Sequence, residues 1–503
     1  MNKKRIIKPI MLLSTLLIFA AGCNSSISND VNEKTSETSI SKSTSNDLGG
    51  LKSTGMITSL ASVNDSVFTN AIYASSSGKS TNSGTSSSPY DLETALSKVE
   101  SGKSTAVLLL SGTYKFSKQL DITSSGTASS YKVLKASKGA SVILDFSSES
   151  YSTSSTDTNA RGIQLNGSYW YIGGITVKGA ADNGMMVSGH HNVVERCIFD
   201  SNRDTGLQIS RSSSSVTKNN WPSYNYIINC TSKNNCDPAT YENADGFASK
   251  LTCGEGNVFD GCISHNNSDD GWDLYAKAET GAIGKVTIRN CIAMRNGKTE
   301  SGVSKSSCDG NGFKLGGGGV GTAHSITNSL AIENLYCGFT DNNNPSALSI
   351  ANCTAFDNNK GGGKNNFSVY RCKDGIVSNS ISYTTNNTTD KFVNLSADYS
   401  VYKVDSSWYY VKAQTALDTT NSSKRGTKTS SGITSTDFTS TNVPSVGTNF
   451  DSVWRNSNGS INTNGVGMLA STSSYASFSS GGNAIGARFS SSNAITTLTV
   501  NVK

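Results

Sequence analysis

The chain has 503 residues, with 43 lysines and arginines against 37 aspartates and glutamates, so its formal net charge is +6. This small excess favours a polyanionic ligand only weakly and does not separate one class of function from another. The basic residues form no clustered arm, and the chain begins with the export signal described next, which argues against nucleic acid as a ligand.

The first 22 residues predict a targeting segment. Residues 3–5 are basic, and an apolar run follows over residues 10–21. The residues before Cys23 resemble a bacterial lipobox, although alanine stands at position 20 where leucine is usual. The alternative is an ordinary cleaved signal peptide in which Cys23 has no role. We favour lipidation at Cys23 because a low-complexity segment follows directly.

Composition divides the rest of the chain into three parts. Residues 23–65 are rich in Ser, Thr and Asn, which predicts a flexible tether. A β-helix domain is predicted over 66–400, and C-terminal strands, a cap or a loosely ordered extension over 401–503. The protein is therefore predicted to be exported, either secreted or anchored to the outer face of a bacterial membrane. We expect a monomer that touches the membrane only through its N-terminal lipid.

One short helix is predicted at the start of the folded domain. Ser88 is the expected N-cap, Pro89 the first helical residue and Asp91 an acidic residue of the first turn. The apolar residues that follow at helical spacing are Leu92, Ala95, Leu96 and Val99. A single amphipathic helix before a run of strands is typical of a cap over the end of a solenoid.

From Val107 onward the chain predicts short β-strands with two repeated elements. In the first element, a polar residue precedes a glycine, a large apolar residue and a variable residue. Its glycines are Gly162, Gly184, Gly206, Gly246, Gly271, Gly312 and Gly338. The second element, usually Asn-Cys, lies upstream of several of them. Strands this short, with no helices between them, predict an all-β fold, a parallel β-helix.

The second element places small residues in one column, which we interpret as inward-facing and stacked, not disulfide-bonded. They are Cys197, Cys230, Cys262, Cys291, Ser329, Cys353 and Ser380. The asparagines that precede this column predict a hydrogen-bonded ladder at a turn. These are Asn229, Asn290, Asn328, Asn352 and Asn379. One or two disulfides stay open among the other cysteines, but a cysteine metal site is not favoured, because no Cys-x-x-Cys pair occurs.

Equivalent positions of a coiled solenoid stack about 4.8 Å apart, so the residue after each repeated apolar residue belongs to one outward column. That column is Gln164, Met186, Gln208, Ala248, Asp273, Lys314 and Thr340. The column before the glycines contains Asp245, Asp270 and Asn311.

This register gathers four carboxylates on two adjacent coils, with Lys314 on the coil above. They are Asp245, Asp269, Asp270 and Asp273. Like charges this close repel one another unless a cation lies among them. Calcium is the predicted cation, because the ligands are hard oxygens and only His265 nearby suggests zinc. The alternative, that the Asp-Gly runs are only turns, is weaker for four aspartates brought together by one register.

Further candidate residues are predicted to lie on the same outward face. Lys250, Tyr275 and Lys277 alternate outward and are candidates to bind an anionic substrate, with solvated surface as the alternative. Loops predicted over 212–223 and 298–308 would wall a binding groove. The glycine run over 316–319 is interpreted as clearance for a polymer to approach the backbone.

The runs Asn243–Phe247, Ser268–Asp273 and Gly310–Gly316 resemble those of pectate lyases of polysaccharide lyase family nine, and the similarity extends from about Ile72 to Tyr383. The resemblance implies a right-handed β-helix that cleaves homogalacturonan, an anionic plant cell-wall polysaccharide, by β-elimination. It also implies Lys314 as the catalytic base. The implied calcium ligands are Asp245, Asp269, Asp270 and Asp273.

Two alternative functions stay open. A β-helix hydrolase of the polygalacturonase type uses paired carboxylates, for which Asp269 and Asp270 are candidates. Such enzymes contain a Gly-His-Gly run, however, whereas this chain has Gly189-His190-His191. The other alternative is a non-enzymatic surface solenoid that binds carbohydrate and uses calcium only structurally.

Overall fold

The computed structural model describes residues 64–154, 158–362, 365–386, 388–490 and 502. The predicted signal peptide, the predicted lipidation site Cys23 and nearly all of the tether lie outside these residues. The described helices are α1 (Leu92–Glu100) and α2 (Phe450–Val453), with 3-10 turns at Asp65–Val67, Lys218–Asn220, Ser422–Lys424 and Ser435–Asp437. None of the described helices is long and apolar enough to cross a membrane.

A full coil of the chain contains three strands, one in each of three parallel sheets. The sheets are called first, second and third in the order in which a coil passes through them. The first sheet contains β1 (Ala71–Ala74), β2 (Ala106–Leu109), β5 (Lys132–Ala136), β8 (Trp170–Gly173), β11 (Val193–Glu195), β14 (Tyr226–Ile228), β17 (Asn257–Asp260), β20 (Val286–Arg289), β23 (Ser325–Thr327), β26 (Ser349–Ala351) and β29 (Ile376–Ser378). The second contains β3 (Gly112–Lys115), β6 (Val142–Asp145), β9 (Ile175–Lys178), β12 (Ile198–Asp200), β15 (Thr231–Lys233), β18 (Ile263–His265), β21 (Ile292–Met294), β24 (Leu330–Ile332), β27 (Thr354–Phe356) and β30 (Ile381–Tyr383).

The third sheet contains β4 (Leu120–Ile122), β7 (Ile163–Leu165), β10 (Met185–Val187), β13 (Leu207–Ile209), β16 (Phe247–Ser249), β19 (Trp272–Asp273), β22 (Phe313–Lys314), β25 (Phe339–Thr340) and β28 (Phe367–Val369). The last coil ends in β31 (Lys391–Asp398), β32 (Ser400–Val404), β33 (Ser407–Val411), β34 (Gln414–Asp418) and β35 (Thr427–Thr429). β33, β34 and β35 pair in the antiparallel sense. The predicted parallel β-helix is therefore confirmed, with three strands in each coil.

The repeated apolar residues of the third sheet point into the core and stack as one aromatic column. From Phe247 through Trp272, Phe313 and Phe339 to Phe367, neighbouring ring centroids lie 4.8–5.1 Å apart. Stacked pairs of this kind contribute about 0.5–1.5 kcal/mol each beyond the area that they bury.

The glycine before each ring is required because the coils approach closely there. A Cβ at Gly271 would lie 2.5 Å from the carbonyl oxygen of Gly312 on the next coil, and one at Gly312 would lie 2.6 Å from that of Gly338. Real Cβ atoms do not approach backbone this closely. The repeat of glycine and apolar residue is therefore a packing requirement of the solenoid.

The cysteine column forms as predicted, and its members are buried free thiols. The N–H of Cys197, for example, donates to Sγ of Cys230 on the next coil (3.4 Å). Among the other cysteines that the structure describes, Cys236, Cys253, Cys308 and Cys372 are also free thiols, so no disulfide joins these four.

The continuous asparagine ladder lies in a different column from the predicted one. Among the predicted residues, the side-chain amide of Asn328 donates to Asn290 (2.7 Å). The feature that all five predicted asparagines share is a left-handed backbone conformation, for example φ of 51° at Asn229. The continuous ladder joins the second and third sheets, with side-chain amides 2.8–3.0 Å from the next carbonyl oxygen. It comprises Asn202, Asn235, Asn267, Asn296, Asn334, Asn358 and Asn366.

The predicted helix begins three residues later than expected. Its N-cap is Asp91, whose carboxylate accepts a hydrogen bond from the N–H of Thr94 (2.8 Å), while Ser88 and Pro89 lie in the preceding turn. The predicted apolar face is buried, and α1 packs against β1 and β2.

Residues 430–490 pack along the outer face of the second sheet. Their apolar side chains, including Phe438, Phe450 and Trp454, cover outward residues of that sheet such as Ile292. Arg455 donates to the carbonyl oxygens of Cys230 (2.9 Å) and Gly261 (2.8 Å) on successive coils. This segment therefore shields an apolar face of the solenoid, and the outward column of the third sheet is polar by contrast.

Replacing Asn296 by alanine should lower the free energy of unfolding by about 1–3 kcal/mol, because its neighbours in the ladder, Asn267 and Asn334, would lose a buried hydrogen-bond partner. Urea unfolding measures this change. Asn220→Ala, at an exposed position, should have almost no effect. Equal effects of the two substitutions would contradict a stabilising role for the ladder.

Candidate metal and catalytic site

The outward column of the third sheet has the predicted register. Ala248 pairs with Asp273, Asp273 with Lys314, and Lys314 with Thr340 on successive coils. Parallel pairing between β16, β19 and β22 thus places the lysine directly above the aspartate. The predicted juxtaposition depends only on this pairing.

Three of the predicted metal ligands form a carboxylate cage. One oxygen from each of Asp245, Asp270 and Asp273 lies within 4.8 Å of the other two. All three residues are buried, with at most 5% of their surface exposed. Buried carboxylates at this spacing are costly unless positive charge lies among them.

Asp270 has one oxygen that is bonded and one that is aimed into the cage. Its Oδ1 accepts hydrogen bonds from the backbone N–H (2.7 Å) and the side-chain amide (2.9 Å) of Asn311. Its Oδ2 accepts no hydrogen bond, although Nζ of Lys314 lies 3.0 Å away as an ion pair. An unsatisfied buried carboxylate oxygen among hard oxygen donors fits a calcium ion.

Two ammonium groups lie among the three carboxylates. Nζ of Lys314 is 3.0 Å from Asp270 and 3.8 Å from Asp273. Nζ of Lys250 is 2.6 Å from Asp245 and 3.3 Å from Asp273. Lys250 is 95% buried, so the alternative that it lies on solvated surface is wrong.

Asp269 stands apart from the cage. Its Oδ1 accepts the N–H of Asp309 from the coil above (2.9 Å), and its Oδ2 accepts the N–H of Asn243 from the coil below (2.7 Å). The structure therefore gathers three of the four predicted ligands, and the observed contacts of Asp269 fix the turns on either side of the cage.

The pKa values of the cage residues reflect burial and mutual charge. Burial, with Asp273 and Asp269 nearby, raises the pKa of Asp245 to about 7 even though Lys250 opposes the shift. Burial also raises the pKa of Asp270 well above its ordinary range, against the effect of Lys314. Both shifts favour the protonated form of these carboxyl groups when no metal is present, and metal binding requires the deprotonated form.

The other predicted residues occupy different positions. The N–H of Tyr275 donates to Oδ1 of Asp273 (3.0 Å), whereas Lys277 is exposed. His265 lies on the second sheet, where its ring contacts Phe450, so it is not part of the cage.

The glycine run next to the site is explained by intramolecular packing. A Cβ at Gly317 would lie 2.1 Å from Cδ2 of Tyr275, and one at Gly318 would lie 2.3 Å from the carbonyl oxygen of Ala276. Gly317 and Gly318 therefore leave room for the ring of Tyr275 and the backbone of Ala276. The clearance for a polymer that the sequence predicts at this run stays a prediction.

Two residues of the site were not assigned a role from the sequence. Asp309 places a partly exposed carboxylate 3.1 Å from Nζ of Lys314. Asn311 orients Asp270 through two hydrogen bonds. The signal was available, since both residues belong to the third repeated run and Asn311 occupies the column of Asp245 and Asp270.

Residues 72–387 match the family described as Pel9A-like, right handed beta helix region. This chain belongs to that family. The structure is also similar to that of pectate lyase Pel9A, with a TM-score of 0.61 and 29% identity over 80% of this chain and 90% of that chain. The resemblance expected from the three repeated runs is thus confirmed, together with the right-handed β-helix.

Two curated relatives share part of the sequence with this Pel9A-like chain. Pectate lyase L of Paenibacillus polymyxa (strain SC2) is 46% identical over 237 residues, which are 47% of this chain and 51% of the relative. Pectate lyase L of Thermoclostridium stercorarium is 45% identical over 293 residues, or 58% of this chain and 22% of the relative. The similarity therefore spans about half the length of the first relative and less of the second.

Asp269→Ala should lower the free energy of unfolding of the metal-free protein by about 1–3 kcal/mol, because two backbone N–H groups would lose their acceptor. Urea unfolding in chelator measures the loss. Asp309→Ala removes a partly exposed carboxylate nearby and should cost clearly less. A smaller loss for Asp269→Ala than for Asp309→Ala would contradict the bracing role of Asp269.

Proposed function

We propose that this chain is a calcium-dependent pectate lyase that cleaves polygalacturonate by β-elimination, with Lys314 as the base. The observation that carries the proposal is the position of Lys314, whose Nζ lies within 3.8 Å of two cage carboxylates on an outward column. The relatives named pectate lyase and the similarity to pectate lyase Pel9A support the same activity.

Asp245, Asp270 and Asp273 would hold the calcium ion, because their oxygens converge and one of them accepts no hydrogen bond. Asp269, a ligand in the family resemblance, would contribute by holding the two turns that carry the cage. When bound, calcium would neutralise the uronate carboxylate of the substrate and stabilise the negative charge that develops next to it.

Lys314 has to be a neutral amine before it can accept a proton. Burial lowers the pKa of this lysine, but the negative charges of Asp270, Asp273 and Asp269 raise it by a larger amount, so that the net pKa lies well above its ordinary value. In the metal-free protein it is therefore an ammonium group. Once the charge of these carboxylates is neutralised, burial favours the neutral amine, and the partly exposed carboxylate of Asp309, 3.1 Å away, still opposes it.

The reaction then requires one proton transfer and one bond cleavage. The amine of Lys314 takes the proton from C5 of a uronate residue, and the electron pair of that C–H bond forms the C4–C5 double bond. The glycosidic bond at C4 breaks, and its oxygen leaves with the rest of the polymer and is protonated by solvent. No water is added, so one product carries an unsaturated sugar.

A hydrolase of the polygalacturonase type is less consistent with the site. The adjacent pair Asp269 and Asp270 would have to act as general acid and base. Both oxygens of Asp269 accept backbone hydrogen bonds, however, and its side chain does not join the cage. Saturated products formed in chelator would favour the hydrolase, and binding without cleavage would favour a surface carbohydrate-binding protein.

We expect Lys314→Ala to lower the rate of unsaturated product formation by at least about a hundredfold, the usual loss for a general base. Ultraviolet absorbance during incubation with polygalacturonate measures the rate. Calcium binding, measured by titration calorimetry, should persist in this variant. Activity of the unmodified chain should disappear in chelator and rise toward alkaline pH, because only the neutral amine of Lys314 can accept a proton and its share grows as the pH rises.

Lys277→Ala is the matched control, since it removes the same charge from an exposed position. If Lys277 binds substrate, this variant should raise KM with little change in kcat. Normal elimination by Lys314→Ala would remove that residue from the role of base.

We also propose that the protein is exported and attached to a membrane through a lipid on Cys23, as the first 23 residues predict. Cys23→Ser should then release the protein from the membrane fraction of the producing cells. An unchanged distribution of the variant between fractions would reject the lipid anchor.

A further inference from the structure

Lys250 is a second cation built into the carboxylate cage. It follows β16 directly, and its side chain is 94% buried between Asp245 and Asp273 on adjacent coils. Its Nζ donates hydrogen bonds to Oδ2 of both residues. The backbone turns sharply at the next residue, Leu251 (φ 67°), whose N–H donates to the carbonyl oxygen of Tyr275 (2.7 Å). The ammonium group is therefore held firmly in place.

The two lysines divide the cage between them. Lys250 contacts Asp245 and Asp273, and Lys314 contacts Asp270 and Asp273, so that Oδ2 of Asp273 faces both ammonium groups. The four predicted ligand carboxylates, with Asp269 included and the partly exposed Asp309 left aside, carry two net formal negative charges against two ammonium groups. With one divalent cation bound and Lys314 a neutral amine, the cluster would carry one negative charge, and without Lys250 it would carry two.

We infer that Lys250 is a positioning residue that weakens calcium binding and in exchange lowers the negative charge that the calcium-loaded site presents to an anionic substrate. This inference rests on the proposed function and adds a role that sequence position did not suggest. Lys250 donates to two cage carboxylates, so we expect its effect to act through Asp245 and Asp273.

Two opposite consequences follow from Coulomb's law. An ammonium group that uses oxygens of Asp245 and Asp273 competes for the donors that calcium needs and repels the ion, so losing the ammonium should strengthen calcium binding. Without it, the loaded cluster would carry one more negative charge, which repels a polyuronate. The substrate affinity of the calcium-saturated protein should therefore fall. A residue that only supported the fold would weaken both interactions together.

The test compares two neutral variants of the full chain. Lys250→Met removes the charge and the hydrogen bonds at similar side-chain volume, whereas Lys250→Gln removes the charge but keeps an N–H donor. Calorimetric titration with calcium chloride, without substrate, should give a Kd at least about tenfold lower for both variants, equivalent to about 1.4 kcal/mol. At saturating calcium, both should show a higher KM for polygalacturonate and a smaller change in kcat.

Lys115→Met, at an exposed position on the second sheet, is the control for a change in overall charge and should leave the Kd unchanged. A calcium Kd that is unchanged or higher in the Met and Gln variants would overturn the inference. If Lys250→Met does not fold, Lys250→Gln alone decides the question by the same criterion.

The inference and the proposed function fail in distinguishable ways. An unmodified chain that binds no calcium would overturn both. An unmodified chain that binds calcium and forms unsaturated products, together with variants of unaltered calcium affinity, would overturn the role of Lys250 alone.

Discussion

Hydrogen bonds between successive coils determine where every functional side chain of this protein lies. On the third sheet the N–H of Trp272 donates to the carbonyl oxygen of Gly312, and the N–H of Leu274 donates to that of Lys314 (3.0 Å each). Asp273 lies between these two bonded residues, so its side chain points outward and lies beneath Lys314. The same pairing stacks the core aromatic rings, so the stability of the core and the position of Lys314 have one origin.

Vertical stacking also concentrates charge. Outward carboxylates on adjacent coils come within a few ångströms, and burial makes their repulsion expensive. The structure offsets this cost with ammonium groups from Lys250 and Lys314 and with backbone N–H donors to Asp269 and Asp270. Burial, with Asp273 and Asp269 nearby, still raises the pKa of Asp245 in the metal-free protein. A divalent cation in the cage would relieve the repulsion between these carboxylates.

The outer faces of the solenoid are used differently. Several outward residues of the second sheet, such as Ile292, are apolar, and residues 430–490 cover them with Phe438, Phe450 and Trp454 and with the hydrogen bonds of Arg455. The outward column of the third sheet is polar and carries the candidate site. The proposed polymer ligand would therefore bind on the third sheet.

The spacing of glycine and apolar residues was sufficient to predict the parallel β-helix, the cysteine column and the position of Lys314 above Asp273. These features depend only on the two-residue period of strands and on coil-to-coil pairing, both of which a linear repeat encodes. The family resemblance then added handedness and a chemical hypothesis.

Turn conformation and burial could not be obtained in that way. The asparagines of this chain are numerous, and only the folded structure decides that the column of Asn267 and Asn296 is buried and continuous. The contacts of Asp269 and Lys250 depend on backbone turns at Asn243 (φ 64°), whose N–H donates to Asp269, and at Leu251 (φ 67°), which follows Lys250. Such turns are stabilised by hydrogen bonds from other coils, about which spacing along one strand carries no information. The sequence alone thus determined the register, and tertiary contacts decided which of the stacked charges face each other.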